Sequence, residues 1–343
     1  VVRPVAVIVA LVVFLAGLAG CANPGAEADP APEPPGNAAA EGFPVTIKHA
    51  FGETTLGSRP ERVLTWGWGS TDASLALGVV PVAMPAAIYG GDENQVLPWN
   101  AEKLKDLGAE TPTLLANPDG GTTIPFEEFA AAAPDVILAV YSGVTEEEYR
   151  RLSEIAPTIV YPDQPWATAW QDVVTTVGTA LGRTVEAETL LRDIDKATRE
   201  AGAAHPELAG KSVIAVFDVA EQLAVYKEID PRVVFLTDLG MTVPPAVAEV
   251  PAVDDGFYGN VSYEKADLLV SDVLLIYSES EETLQKTLAR PSIKNLPQIK
   301  SGRYAAIVGQ QLVAAGSPPT ALSLTWALDA YTTKLAAAAS RTS

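Results

Sequence analysis

The longest sustained pattern of apolar and polar positions runs over residues 184–205, TVEAETLLRDIDKATREAGAAH. Ala187, Leu190, Leu191, Ile194, Ala197 and Ala201 recur at helical spacing and form one narrow apolar stripe. Glu186 and Glu188 stand in the first turn, where the helix dipole favours negative charge. Glu188 and Arg192, then Asp195 and Arg199, are supportive pairs four residues apart. Gly202 and the His205-Pro206 step supply the stop. At 1.5 Å per residue such a helix spans roughly 30 Å. A long helix with so thin a stripe suits a strut laid along two bodies.

On both sides of it the pattern alternates between strand and helix. Short apolar runs at 45–49, 54–56, 62–66, 79–83, 113–115, 136–140 and 158–161 read as strands. Between them stand helices over 70–77, opened by Ser70, from 124, from the capping box at Thr145, and over 166–180. After the strut come a strand at 212–217, a helix end at 234–239, a loop at 258–260 and a helix capped by Ser262. A strand at 273–276, a helix from Ser280, a strand at 304–308 and a last helix from 317 to 334 complete the chain. Strands alternating with helices predict α/β architecture with largely parallel sheets.

The halves repeat each other. Phe126-Glu127-Glu128-Phe129 matches Tyr263-Glu264-Lys265-Ala266. Downstream, Asp135-Val136-Ile137-Leu138 matches Asp272-Val273-Leu274-Leu275, and both strands run into Tyr-Ser, at Tyr141-Ser142 and Tyr277-Ser278. Upstream, Leu77-Gly78-Val79-Val80-Pro81 matches Leu239-Gly240-Met241-Thr242-Val243-Pro244. The expected fold is two Rossmann-like α/β lobes, each with a mostly parallel central sheet, bridged by one long helix. Residues 43–183 form the first lobe, 184–205 the bridge and 206–343 the second. Open α/β sheets bind ligands beyond the carboxyl ends of their strands, so facing lobes would enclose a cleft there.

The first residues obey another pattern. Arg3 precedes an apolar run from Val5 to Leu18, which is short for a membrane span. It ends in Leu18-Ala19-Gly20-Cys21, which resembles the lipobox of bacterial lipoproteins, with small residues before the cut and a nucleophilic sulfur after it. Residues 1–20 are expected to be a signal peptide. Cys21 is the expected lipidation site and opens a Pro- and Ala-rich tether over 21–42. A lipid anchor of more than one acyl chain would hold the protein stably at the outer face of the cytoplasmic membrane.

The net charge of −20 argues against nucleic acid and anionic lipid as partners. One cysteine permits no internal disulfide, and two histidines, His49 and His205, leave little for a histidine-rich metal site. Gly67-x-Gly69 lacks the third glycine of a dinucleotide fingerprint, and no Gly-x-Ser-x-Gly elbow occurs, so no enzyme is indicated. Aromatic residues are only 7 % of the chain, yet Trp66, Trp68, Tyr89, Tyr141, Trp166, Tyr226, Phe257, Tyr258 and Tyr277 gather where strands end. Flat amphipathic rings suit a bulky, partly apolar ligand. Arg232 and Arg303 are the cationic candidates. Glu127 and Glu264, equivalent in the two halves, could dock a symmetric basic partner.

The lipobox, Pro60-Glu61-Arg62-Val63, Glu127 with Pro134-Asp135-Val136-Ile137, Ser142-Gly143, Ser262-Tyr263-Glu264 and Leu296-Pro297 with Gly302-Arg303 resemble the periplasmic-binding family of iron–siderophore ABC importers. The resemblance covers about residues 43–335, and Gly90 to Trp99 looks like its actinobacterial branch. It implies a class III substrate-binding protein acting as a monomer. It implies capture of a ferric siderophore, hydroxamates favoured by the charge, with haem or cobalamin as alternatives, and delivery to an ABC permease and its ATPase. It assigns Glu127 and Glu264 to permease docking. No cofactor, resident metal or catalytic residue is implied beyond the iron of the cargo.

Overall fold

The computed structural model describes residues 42–219, 222–253 and 256–341. The expected signal peptide, Cys21 and the tether up to residue 41 lie outside them. An antiparallel hairpin of β1 (Val45–His49) and β2 (Gly52–Leu56) precedes the first sheet. That sheet holds β3 (Val63–Thr65), β4 (Ala83–Pro85), β5 (Thr113–Leu115), β6 (Val136–Ala139) and β7 (Thr158–Val160) in the order β5-β4-β3-β6-β7, all parallel. Every residue of β3, β6 and β7 is buried, as helices on both faces of a parallel sheet require.

The second sheet is mixed. It holds β8 (Val213–Val219), β9 (Gln222–Tyr226), β10 (Tyr258–Ser262), β11 (Val273–Ser278) and β12 (Tyr304–Val308) in the order β10-β9-β8-β11-β12. Strands β8, β11 and β12 are parallel, whereas β9 and β10 are antiparallel. The loop expected over 258–260 is therefore strand: Gly259 and Val261 are buried while Asn260 and Ser262 are exposed. Ser262 does precede a helix, the 3₁₀ turn Tyr263–Leu268, but its side chain makes no cap bond.

The bridging helix, Thr184–Ala204, packs on the first-lobe helix Trp170–Ala180 and on the second-lobe helix Pro231–Asp238. Its buried line is Ala187, Ile194, Thr198 and Gly202. Gly202 does not stop the helix. It lies inside it, where a Cβ would fall 2.5 Å from the Leu239 carbonyl oxygen, so the missing side chain sets how close the second lobe comes. Asp195 and Arg199 form the expected ion pair.

The final helix, Ala321–Ala339, also packs on both lobes, touching β12 on one side and the helices Ser70–Ala76 and Pro98–Asp106 on the other. Asp72, wholly buried, accepts hydrogen bonds from the Trp99 indole (2.6 Å), from Asn100 Nδ2 (3.4 Å) and, across the lobes, from the Thr320 hydroxyl that caps the final helix. Trp326 Nε1 donates to Glu102 in the same interface, at 3.0 Å.

Other boundaries move for local reasons. Ser70 is not the cap of its helix, because Gly69 occupies that position in left-handed conformation and the Ser70 hydroxyl turns inward to accept from Val140 N–H. The strand expected at 79–83 begins only at Ala83, since Pro81 has no N–H to give a ladder. The helix expected from 166 begins at Trp170, because Trp166 has φ +58°.

Candidate functional site

The order of the first sheet reverses between β3 and β6, so the loops leaving their carboxyl ends diverge and open a crevice. Across it the Trp68 N–H donates to the Tyr141 carbonyl at 2.9 Å. Gly67 permits that approach: φ is +76° and a Cβ would lie 2.2 Å from the Tyr141 oxygen. Trp68 and Tyr141 are thereby set side by side, both half-buried. The Trp68 indole reaches over to the Pro318 carbonyl, beyond β12, at 3.0 Å.

Trp166 follows β7. Its left-handed backbone costs of order 1 kcal/mol, a strain found mostly at functional sites. Its N–H donates to the Ser142 carbonyl at 3.1 Å. Its ring meets Tyr141 edge-on, with centroids 5.7 Å apart, and lies against Gly143, where a Cβ would fall 2.4 Å from the indole nitrogen. Tyr89, in the loop after β4, is half-buried. Burial pushes its hydroxyl up to about 12, and Glu279 and Tyr226 of the second lobe add to the shift.

The second lobe answers from its antiparallel strands. Tyr226 ends β9, Tyr258 opens β10, and the two are register partners. Asp230 caps the helix Pro231–Asp238, accepting from the Arg232 N–H at 2.8 Å and from Arg232 Nη1 at 2.6 Å. Arg232 Nε donates to the Ser317 hydroxyl at 2.8 Å. The guanidinium lies 4.2 Å above the Tyr226 ring and 5.8 Å from that of Phe257, within cation–π range. Burial raises the Tyr141 and Tyr226 hydroxyls, with Arg232 pulling both the other way, so one cation is felt by rings of both lobes. Phe257 is exposed and packs on Tyr258.

Two expected contacts are excluded. Trp66 is 0 % exposed and meets Phe129 edge-on at 5.2 Å inside the first-lobe core. Tyr277 is 1 % exposed and lies beneath the site between Tyr226 and Tyr331, at 5.9 and 6.3 Å, so it supports the cleft rather than lining it. Arg303 stands at the amino end of β12, where it donates to the Asp272 carbonyl at 2.9 Å.

Asp230 and Ser317 are site residues that sequence reasoning missed. The Asp230-Pro231 step is a helix-opening signal that could have placed Asp230 beside Arg232. Behind Trp68 the lobes close on a cavity of about 20 Å³ lined by Tyr141, Trp170, Pro231, Pro318 and Thr320. That holds about one water molecule. The space behind Trp68 is therefore too small for a bulky ligand.

Glu127 lies in the first turn of the helix Phe126–Ala131, just after β5, and is exposed. Glu264 is exposed in the 3₁₀ turn after β10, whose last residue pairs with Gln222, level with the carboxyl end of β8. Neither forms an ion pair among the described residues. No group of three His, Cys, Asp or Glu side chains suited to a metal occurs among them either.

Residues 65–307 match the family model described as periplasmic binding protein, more than half of the chain. The chain is similar to PiaA, the iron uptake ABC transporter substrate-binding protein of Streptococcus pneumoniae TIGR4, solved in complex with ferrichrome: 34% identity over 86% of this chain and 98% of that one, TM-score 0.75. It is similar to a periplasmic solute binding protein of Mycobacterium smegmatis, at 28% identity over 86% and 98% of the two chains, TM-score 0.74. Among curated proteins it matches the probable siderophore-binding lipoprotein YfiY of Bacillus subtilis, 25% identical over 75% of this chain and 78% of that one.

Proposed function

The chain belongs to the periplasmic binding protein family, and from that premise we propose that it captures a ferric siderophore, of hydroxamate type, in the cleft between its lobes. It does so as a lipid-anchored monomer on the outer face of the cytoplasmic membrane and delivers the cargo to an ABC permease and its ATPase. The family and its solved relatives are solute-binding proteins, which supports a binding role for the cleft. The observation that carries the reading is one cluster drawn from both lobes: Trp68, Tyr141 and Trp166 facing Tyr226, Phe257 and Arg232. Rings hold the organic shell of a wrapped metal by its faces, and the guanidinium donates to its oxygens.

Burial raises the phenols of Tyr89, Tyr141 and Tyr226. Direct phenolate ligation of iron, as haem would need, starts at a disadvantage, whereas a siderophore brings iron already fully coordinated. Glu127 and Glu264 are assigned to the permease, because they are exposed, form no ion pair among the described residues and are equivalent in the repeat. The test is to titrate the body beginning after Cys21 with a ferric hydroxamate, a ferric catecholate, haem and cobalamin, following tryptophan emission. Quenching by the hydroxamate at the lowest concentration is expected; silence with all four removes the ligand class.

A further inference from the structure

Arg232 is the one cation among the described residues whose head lies within the aromatic cluster, and it is not a free charge. Its side chain is 11% exposed and the Asp230 side chain 0%. Two of its nitrogens are taken, Nη1 by Asp230 and Nε by Ser317. Nη2 has no protein partner among the described residues, so the group offers hydrogen bonds to a ligand while its charge is cancelled 2.6 Å away. A pair this buried is little screened by salt, so the cancellation persists at physiological ionic strength. The nearby Lys227 ammonium is turned away, donating to the carbonyls of Val247 and Val250.

Among the described residues, the loops that leave the other strand ends add no positive charge. The loops over 86–97, 116–125 and 161–169, after β4, β5 and β7, and the step 279–280 after β11 carry Asp92, Glu93, Asp119, Asp163 and Glu279 and contain no lysine or arginine. Glu279 is close enough to act on the Tyr89 hydroxyl.

We propose that Asp230 determines which cargo charge the cleft accepts: by neutralising Arg232 it selects ferric complexes of zero or positive net charge and rejects anionic ones. The inference rests on the siderophore reading and adds the property selected within that class. A neutral or cationic trihydroxamate accepts from Nη2 and lies against the rings with no uncompensated charge nearby. A ferric tris-catecholate, a trianion, meets a site whose one guanidinium is already balanced and whose rim is acidic.

The test compares the wild-type chain with Asp230→Asn and Arg232→Gln. Each is titrated with a neutral ferric trihydroxamate, a monocationic one and a ferric tris-catecholate, at low and physiological salt. Asparagine keeps the oxygen that accepts the Arg232 N–H, so the helix start survives while the charge is removed. Wild type is expected to bind both hydroxamates and to reject the catecholate, with rejection relaxing as salt rises. Asp230→Asn should shift the ratio of catecholate to cationic affinity by about tenfold or more toward the catecholate, and Arg232→Gln should move it the other way. An equal loss for all three ligands in Asp230→Asn, or no change of ratio, overturns the proposal. Should that variant fold poorly, the wild-type salt response decides: catecholate binding that weakens with salt overturns it. Wild type that binds the catecholate as tightly as the hydroxamates overturns the inference and leaves the siderophore reading standing; wild type that binds none of the three removes the reading itself.

Discussion

In the first lobe the Asp135 carboxylate receives the N–H groups of Glu61 and Arg62, at 2.7 and 2.9 Å, just before β3. In the second lobe Asp272 receives the N–H and hydroxyl of Ser212, each at 2.8 Å, just before β8. Val63 then pairs with Val136, and Val213 with Val273. The repeated Asp-Val step thus does the same work twice, fixing the register of two central parallel strands. Beyond this frame the lobes part. All strands of the first sheet run the same way and send aromatic loops off their carboxyl ends. The second sheet doubles back through β9 and β10, and these strands with the following helix start bring Tyr226, Tyr258 and the Arg232–Asp230 pair. A duplicated scaffold has kept its anchoring carboxylates and divided the cleft into an apolar wall and a polar one.

The hardest blow to this arrangement falls on the group that joins the lobes. Asp72→Ala leaves the Trp99 and Thr320 donors buried without an acceptor, an expected loss of about 3 kcal/mol read by denaturant titration. Asp72→Asn should be tolerated, since the amide oxygen still accepts both. Burial raises the Asp72 pKa, so the folded state holds this proton more tightly than the unfolded one. Its contribution is then most favourable at low pH and declines as pH rises from the ordinary 3.8 through the raised folded value. Asp72→Asn should remove that slope, and an unchanged profile would show that the buried group does not titrate there.

Next in size is the polar wall. Arg232→Ala is expected to weaken binding of a ferric hydroxamate by about 2 kcal/mol, roughly thirtyfold, and Trp166→Ala by about 1 kcal/mol. Equal losses from the two walls would erase the division of labour. Within the frame, Asp135→Ala and Asp272→Ala should each cost about 1 kcal/mol of stability with ligand affinity retained. Hydrogen bonds from Ser212 hold Asp272 below its ordinary 3.8, so its support is present above that value and lost as pH falls through the folded pKa. This slope is opposite to that of Asp72. The smallest effect in solution belongs to Glu127→Ala combined with Glu264→Ala, within about 0.5 kcal/mol in stability and none in affinity. Iron uptake by cells carrying the pair should nevertheless be abolished, and a fall in affinity would move the glutamates into the cleft.

Much of this frame was legible in the chain, because burial on both faces forces apolar runs and helix starts need capping groups. The Thr145 box with Glu148, the bridging helix and the strands Val136–Ala139 and Tyr304–Val308 stand close to where the pattern puts them. What sequence could not show was set by distant partners. β9 and β10 depend on pairing with each other and β8, and their five-residue runs carry no period strong enough to betray it. Trp66 and Trp68 are two residues apart with similar neighbours, yet one is core and the other cleft, because the strand ends at Thr65 and Gly67, at φ +76°, turns the chain between them. The Asp72–Thr320 contact joins residues 248 positions apart.

The segment Ser317–Thr320 supplies the hydroxyl that holds Arg232, the carbonyl that receives Trp68 and the hydroxyl that reaches Asp72. It follows every strand of both sheets in the chain. Four consecutive residues thus tie the polar wall, the apolar wall and the buried carboxylate together, so a single insertion among them should loosen all three at once.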